Sequence, residues 1–151
     1  MTPVRLTKIF TLEMAHALPG YPGDCKNLHG HSYRLEITVR GLPLHRPGHP
    51  NDGMVMDFRD LKKIVKNAIL DRFDHALLLP KSVPGEVIEV LQKQFEKVHA
   101  LPFQPTCELL LLHFVENLQE VLPSGVELWR MRLYETGTSF ADWCLPDTMK
   151  N

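Results

Sequence analysis

Two stretches of alternating side chains, each with histidine in its apolar phase, constrain this chain more than anything else in it. From Val4 to Met14 the apolar residues fall mainly at even positions (Val4, Leu6, Phe10, Leu12, Met14), the period-two pattern of a half-buried strand, and His16 continues the phase. Tyr33, Leu35, Ile37 and Val39 alternate again, and His29 and His31 share their odd phase. Between them Leu18 to Asn27 carries Pro19, Gly20, Pro22 and Gly23 and reads as a turn-rich loop. With both segments extended, the three histidines project from the apolar faces and cluster where two neighbouring strands meet their loop. His29 and His31, one glycine apart, put both imidazoles on one side of an extended backbone, and His16 from the adjacent strand completes a three-nitrogen site. Neutral imidazole suits Zn(2+), and an open fourth position is the mark of a catalytic zinc rather than a closed structural one. A lone histidine at a turn is an ordinary polar residue, but three in one phase are poorly explained that way.

The rest of the chain predicts helices and further strands. Gly41 to Gly53 holds prolines at 43, 47 and 50 and ends in Asn51-Asp52-Gly53, a turn signal leading to a short strand, Met54 to Met56. Asp57 is placed to cap a helix through Phe73, with Phe58, Leu61, Val65, Ile69 and Phe73 near helical spacing. A second helix is expected from Gly85 to about His99, and a third, capped by Thr106, through Val121. After Gly125 a strand places Trp129, Met131, Leu133 and Glu135 on one face, so that a carboxylate ends an apolar row; a last strand follows around Ser139 to Trp143.

Bulk properties exclude several function classes. The length of 151 residues and 44% hydrophobic content suit one domain spanning 1-151. A net charge of -1 offers no basic stripe for a nucleic-acid backbone, and no apolar run approaches the length of a membrane span. Neither nucleic acid nor membrane is an expected partner. The start of the chain lacks a signal-peptide pattern, and Cys25, Cys107 and Cys144 form an odd set without a C-x-x-C pair, so a cytoplasmic, reducing location is expected.

Five separated motifs, in order, carry a resemblance across nearly the whole chain: Met14-Ala15-His16 with Cys25 to Tyr33, Gly53 to Phe58, Asp74-His75, Pro105-Thr106-Cys107-Glu108 and Glu135-Thr136. The chain resembles the 6-pyruvoyl-tetrahydropterin synthase and 6-carboxy-5,6,7,8-tetrahydropterin synthase family. The resemblance implies zinc on His16, His29 and His31, Cys25 as the proton-abstracting base, Asp74 and His75 as a proton relay, and Glu135 as the anchor of the pterin ring, with Thr106 and Glu108 as further pocket residues. It implies an α+β tunnelling fold, an antiparallel four-stranded sheet with helices on one face, whose subunits close a barrel as trimers and pair into a homohexamer with intersubunit active sites.

The implied substrate is a small-molecule pterin triphosphate, 7,8-dihydroneopterin triphosphate. The Cys25 to His31 spacing, C-x-x-x-H-G-H, favours the carboxy-forming lyase, which releases acetaldehyde and triphosphate and feeds queuosine precursor synthesis. A pyruvoyl-forming synthase and a catalytically silent zinc-binding assembly module are the alternatives. Two departures stand out. Ala17 occupies a position where the family commonly has arginine, leaving Lys26 and Arg34 as candidates for the triphosphate, and the segment between His75 and Pro105 is longer than in many members.

Overall fold

The computed structural model describes residues 1–148. The two alternating stretches become the long strands β1 (Val4–His16) and β2 (His29–Gly41), paired antiparallel from Val4 opposite Gly41 to His16 opposite His29. Phe10, Leu12 and Met14 of β1 and Tyr33, Leu35, Ile37 and Val39 of β2 are buried, as the alternation predicts. Each fully buried side chain of this size contributes about 1.5–3 kcal/mol. Gly30 separates the two β2 histidines where the strands pass closely: a Cβ there would lie 3.1 Å from the Met14 carbonyl oxygen.

The core is closed by helices on one face of the sheet. α1 (Phe58–Val65) begins at Asp57, whose carboxylate accepts the Arg59 N–H at 2.7 Å, and continues through a π-helical turn (Lys66–Leu70) into the short α2 (Asp71–Phe73). Leu61, Val65, Ile69 and Phe73 are buried along this run, which matches the expected helix to Phe73. α4 (Cys107–Gln119) starts at its Thr106 cap and buries Leu110, Phe114 and Leu118 against the same core. α3 (Gly85–Gln94) buries Ile88 in a smaller cluster with Ala17 and Leu79.

Several expectations are corrected. The sheet has six strands, not four, and is mixed: the order is β4-β3-β1-β2-β5-β6, with β3 (Ala76–Pro80) parallel to β1 and β4 (Val98–Leu101) parallel to β3. The antiparallel part is β1, β2, β5 (Val126–Tyr134) and β6 (Phe140–Cys144). β3 escaped notice because Ala76-Leu-Leu-Leu-Pro80 is continuously apolar, the signature of a strand covered on both faces, and shows no period of two. The helix expected to run to His99 stops at Gln94; Phe95 is extended (φ -130°, ψ 136°), and the following residues pair with β3 instead. Met54 to Met56 is not a strand: two hydrogen bonds to Leu44 close a turn there and no ladder follows. Trp129 leaves the row predicted for it, because an irregularity opposite Thr38 and Val39 brings Leu128 into the core and turns the indole towards Arg5 and Arg40.

Candidate metal centre

His16 and His29 face each other at the last rung of the β1–β2 ladder, and His31 is one alternation further along β2. Their ligand atoms lie within 4.8 Å of one another. Backbone carbonyls fix two of the rings. His16 Nδ1 is 2.7 Å from the Pro105 oxygen and His29 Nδ1 is 2.8 Å from the Asn27 oxygen. A carbonyl only accepts, so each Nδ1 carries the hydrogen, and the neutral form of either ring would keep a bare lone pair on Nε2. Those two Nε2 atoms stand 3.1 Å apart. Facing lone pairs at that distance repel unless a cation lies between them, and three nitrogens around a tetrahedral zinc are separated by about 3.3 Å. His31 Nε2 is buried with no hydrogen-bond partner. His16 is 1% exposed, and burial above all holds its pKa below 6.5, so the ring stays in the neutral, ligating form. The donor set therefore fits a zinc ion bound through three Nε2 atoms, with the Nδ1 bonds orienting the ligands.

Glu135 borders this cluster. It follows β5 in the turn to β6, where its N–H donates to the Ser139 oxygen at 3.0 Å, and its Oε1 lies 3.7 Å from His16 Nε2 and 3.9 Å from His31 Nε2. Tyr33 donates its hydroxyl to the same Oε1 at 3.3 Å. Burial, and then the Glu135 charge, push the Tyr33 phenol up, so it remains a donor. This residue was missed as part of the site, although its phase on β2 is that of His29 and His31. Cys25 is half-buried in the 3-10 turn Asp24–Lys26, which is tied to the end of β1 by the Leu18 N–H donating to the Cys25 oxygen at 2.9 Å.

The remaining predicted residues are distributed around this centre. Asp74 and His75 are in contact, Oδ1 to Nδ1 3.1 Å, because the chain leaves the helix at Asp74 and His75 adopts a left-handed φ of 63°. A bulky residue in that region carries strain of about 1–3 kcal/mol and stays there only when its neighbours hold it. The His75 side chain is 75% exposed and shares with His31 a groove of about 790 Å³ that also includes Glu13, Ser32, Phe95 and Lys97. No contact among the described residues joins this pair to Cys25 or the histidine nitrogens. The Thr106 hydroxyl accepts the Leu109 N–H at 3.3 Å as a helix cap, and Glu108 is exposed in the first turn of α4. Arg34 stands on the opposite face of β2 from the histidines, stacked on Tyr134 at 4.4 Å, whereas Lys26 is exposed in the same turn as Cys25. Cys107 is packed against the core, its thiol pushed up to about 11 mainly by burial. No helix of the described residues is long and apolar enough to cross a membrane.

The chain is similar to proteins of known family. A family model described as 6-pyruvoyl tetrahydropterin synthase matches residues 5–144. A 6-carboxy-5,6,7,8-tetrahydropterin synthase of Haemophilus influenzae is 37% identical over 141 residues, covering 92% of this chain and 97% of its own. A human 6-pyruvoyl tetrahydrobiopterin synthase is 36% identical over 118 residues, 76% of this chain and 66% of its own. The solved structure of Caenorhabditis elegans 6-pyruvoyl tetrahydropterin synthase has the same fold, with a TM-score of 0.67 at 23% identity, covering 95% of this chain and 96% of that one.

Proposed function

Because the chain belongs to the 6-pyruvoyl tetrahydropterin synthase family, we propose that it converts 7,8-dihydroneopterin triphosphate to 6-carboxy-5,6,7,8-tetrahydropterin, releasing acetaldehyde and triphosphate in the service of queuosine precursor synthesis. The observation that carries this reading is the match to a carboxy-forming relative over nearly the full length of both chains. The C-x-x-x-H-G-H spacing from Cys25 to His31 supports it.

His16, His29 and His31 hold the metal. Zinc, when bound, supplies Lewis acidity towards the oxygens of the substrate side chain, which makes neighbouring C–H protons easier to remove. Cys25 takes such a proton as thiolate, and His75, oriented by Asp74, delivers one from another direction. The Glu135 carboxylate, steadied by the Tyr33 hydroxyl, accepts paired hydrogen bonds from the aminopyrimidinone edge, with Thr106 and Glu108 as further walls and Lys26 towards the triphosphate. The separation of the Asp74-His75 pair from Cys25 within one chain supports sites completed between subunits. The outer edges of β4 and β6, and β1 from Val4 to Leu12 on the side facing away from β2, have no ladder partner among the described residues, which supports trimers closing a barrel and pairing into a hexamer.

The test is incubation of purified, zinc-loaded protein with 7,8-dihydroneopterin triphosphate while pterin products, acetaldehyde and triphosphate are measured. The carboxypterin with stoichiometric acetaldehyde is expected. Triphosphate release without acetaldehyde would assign the pyruvoyl-forming reaction, and no turnover would leave a silent zinc-binding module.

A further inference from the structure

The segment between His75 and Pro105 holds β3, α3 and β4 and so far has no part in the chemistry. One of its residues, Lys97, reaches back to the Asp74-His75 pair. Its backbone is fixed at the entrance to β4, where the Lys97 carbonyl accepts the Leu77 N–H at 2.9 Å. From there Lys97 Nζ donates to the Asp74 carbonyl oxygen at 2.9 Å. On the other side the His75 N–H donates to the Glu13 carbonyl at 2.7 Å. The Asp74 carbonyl and the His75 N–H belong to one planar peptide unit, so that unit is clamped at both ends, by β1 and by the residue leading into β4. The Asp74 carboxylate is held as well, accepting the Glu13 N–H at 2.9 Å.

The consequence concerns where the imidazole points. The φ of His75 is the rotation about its N–Cα bond relative to this peptide plane, and at 63° it is one that a histidine leaves unless held. With the carbonyl end released, the plane can swing while the Glu13 bond adjusts, and the exposed ring is re-aimed. Lys97 forms no ion pair among the described residues, and the groove-lining acids Glu13 and Glu96 do not take its ammonium; it is spent on a neutral carbonyl.

We propose that Lys97 is a positioning residue, which sets the direction of the His75 imidazole by clamping the peptide unit between Asp74 and His75. The proposal rests on the reading of His75 as a proton-transfer group. Lys97→Met keeps the stem and the backbone bond to Leu77 but removes the donor. Triphosphate release, which is common to the carboxy- and pyruvoyl-forming reactions, gives kcat and KM. The expected result is a kcat lower by about 10- to 100-fold, the scale set by a misplaced catalytic group, with KM little changed. Lys97→Arg, which restores a donor of similar reach, should recover most of the rate. In a His75→Ala background Lys97→Met should have no further effect, since the two act through one group. If Lys97→Met fails to fold, Lys97→Gln, whose amide is too short to reach the carbonyl, carries the same expectation. A KM that rises with kcat unchanged, or additive losses in the double variant, would overturn the proposal. Wild-type turnover in His75→Ala would instead sink the reading of His75 itself.

Discussion

A single carboxylate has an unusual set of neighbours in this protein. Glu135 lies within 3.9 Å of two imidazole nitrogens and accepts the Tyr33 hydroxyl, yet it makes no hydrogen bond to either histidine. Among the described residues its second oxygen has no hydrogen-bond partner, as a ring anchor needs. Glu135→Gln keeps the shape while exchanging one acceptor for a donor, so pterin affinity measured by calorimetric titration should fall by about 1.5–3 kcal/mol, the range for hydrogen bonds to charged groups. Zinc content by elemental analysis should stay the same in that variant and be largely lost in His31→Ala. Unaltered pterin affinity would move the anchor to Glu108. At this scale the sequence was most informative about residues whose side chains follow the strand period. It was silent about the Pro105 and Asn27 carbonyls that fix the rings, because any residue type supplies a carbonyl.

Elements show where a local signal competes with a tertiary one. Thr106 was singled out for the pterin pocket, and its hydroxyl already caps α4. Thr106→Ala should therefore lower stability by about 1 kcal/mol in denaturant unfolding, with or without pterin present, whereas Thr106→Ser should be close to neutral. Equal stability of the alanine variant would mean the hydroxyl is not acting as a cap. The correction at α3 has a similar origin. Its apolar spacing continues in helical phase to Val98, but only Ile88 is buried, so extending the helix gains little while four residues paired with β3 gain a ladder. Propensity gave way to pairing because the edge of β3 was available, which no window of sequence reveals.

Among the described residues the outer edges of β4 and β6 and one side of β1 from Val4 to Leu12 lack a ladder partner, and the Asp74-His75 pair makes no contact with the Cys25 thiol. If neighbouring subunits complete each other's sites, Cys25→Ala and His75→Ala should each be inactive with zinc retained, and mixing them under conditions of subunit exchange should restore part of the activity. Sedimentation of the same samples checks that exchange and assembly have occurred. Proven exchange with no recovery would place both residues on one chain's side of the site.

The alternation of β1 and β2, the histidines in phase with it, and the caps at Asp57 and Thr106 are determined by the sequence alone, because each depends on residues a few positions apart along one backbone conformation. The parallel strands β3 and β4, the turning-out of Trp129 and the reach of Lys97 to the Asp74 carbonyl were decided only in the tertiary structure. Each depends on a partner 20 or more residues away, and the physical reason is the same throughout: which backbone group or strand edge a segment meets is not specified by the residues next to it in sequence.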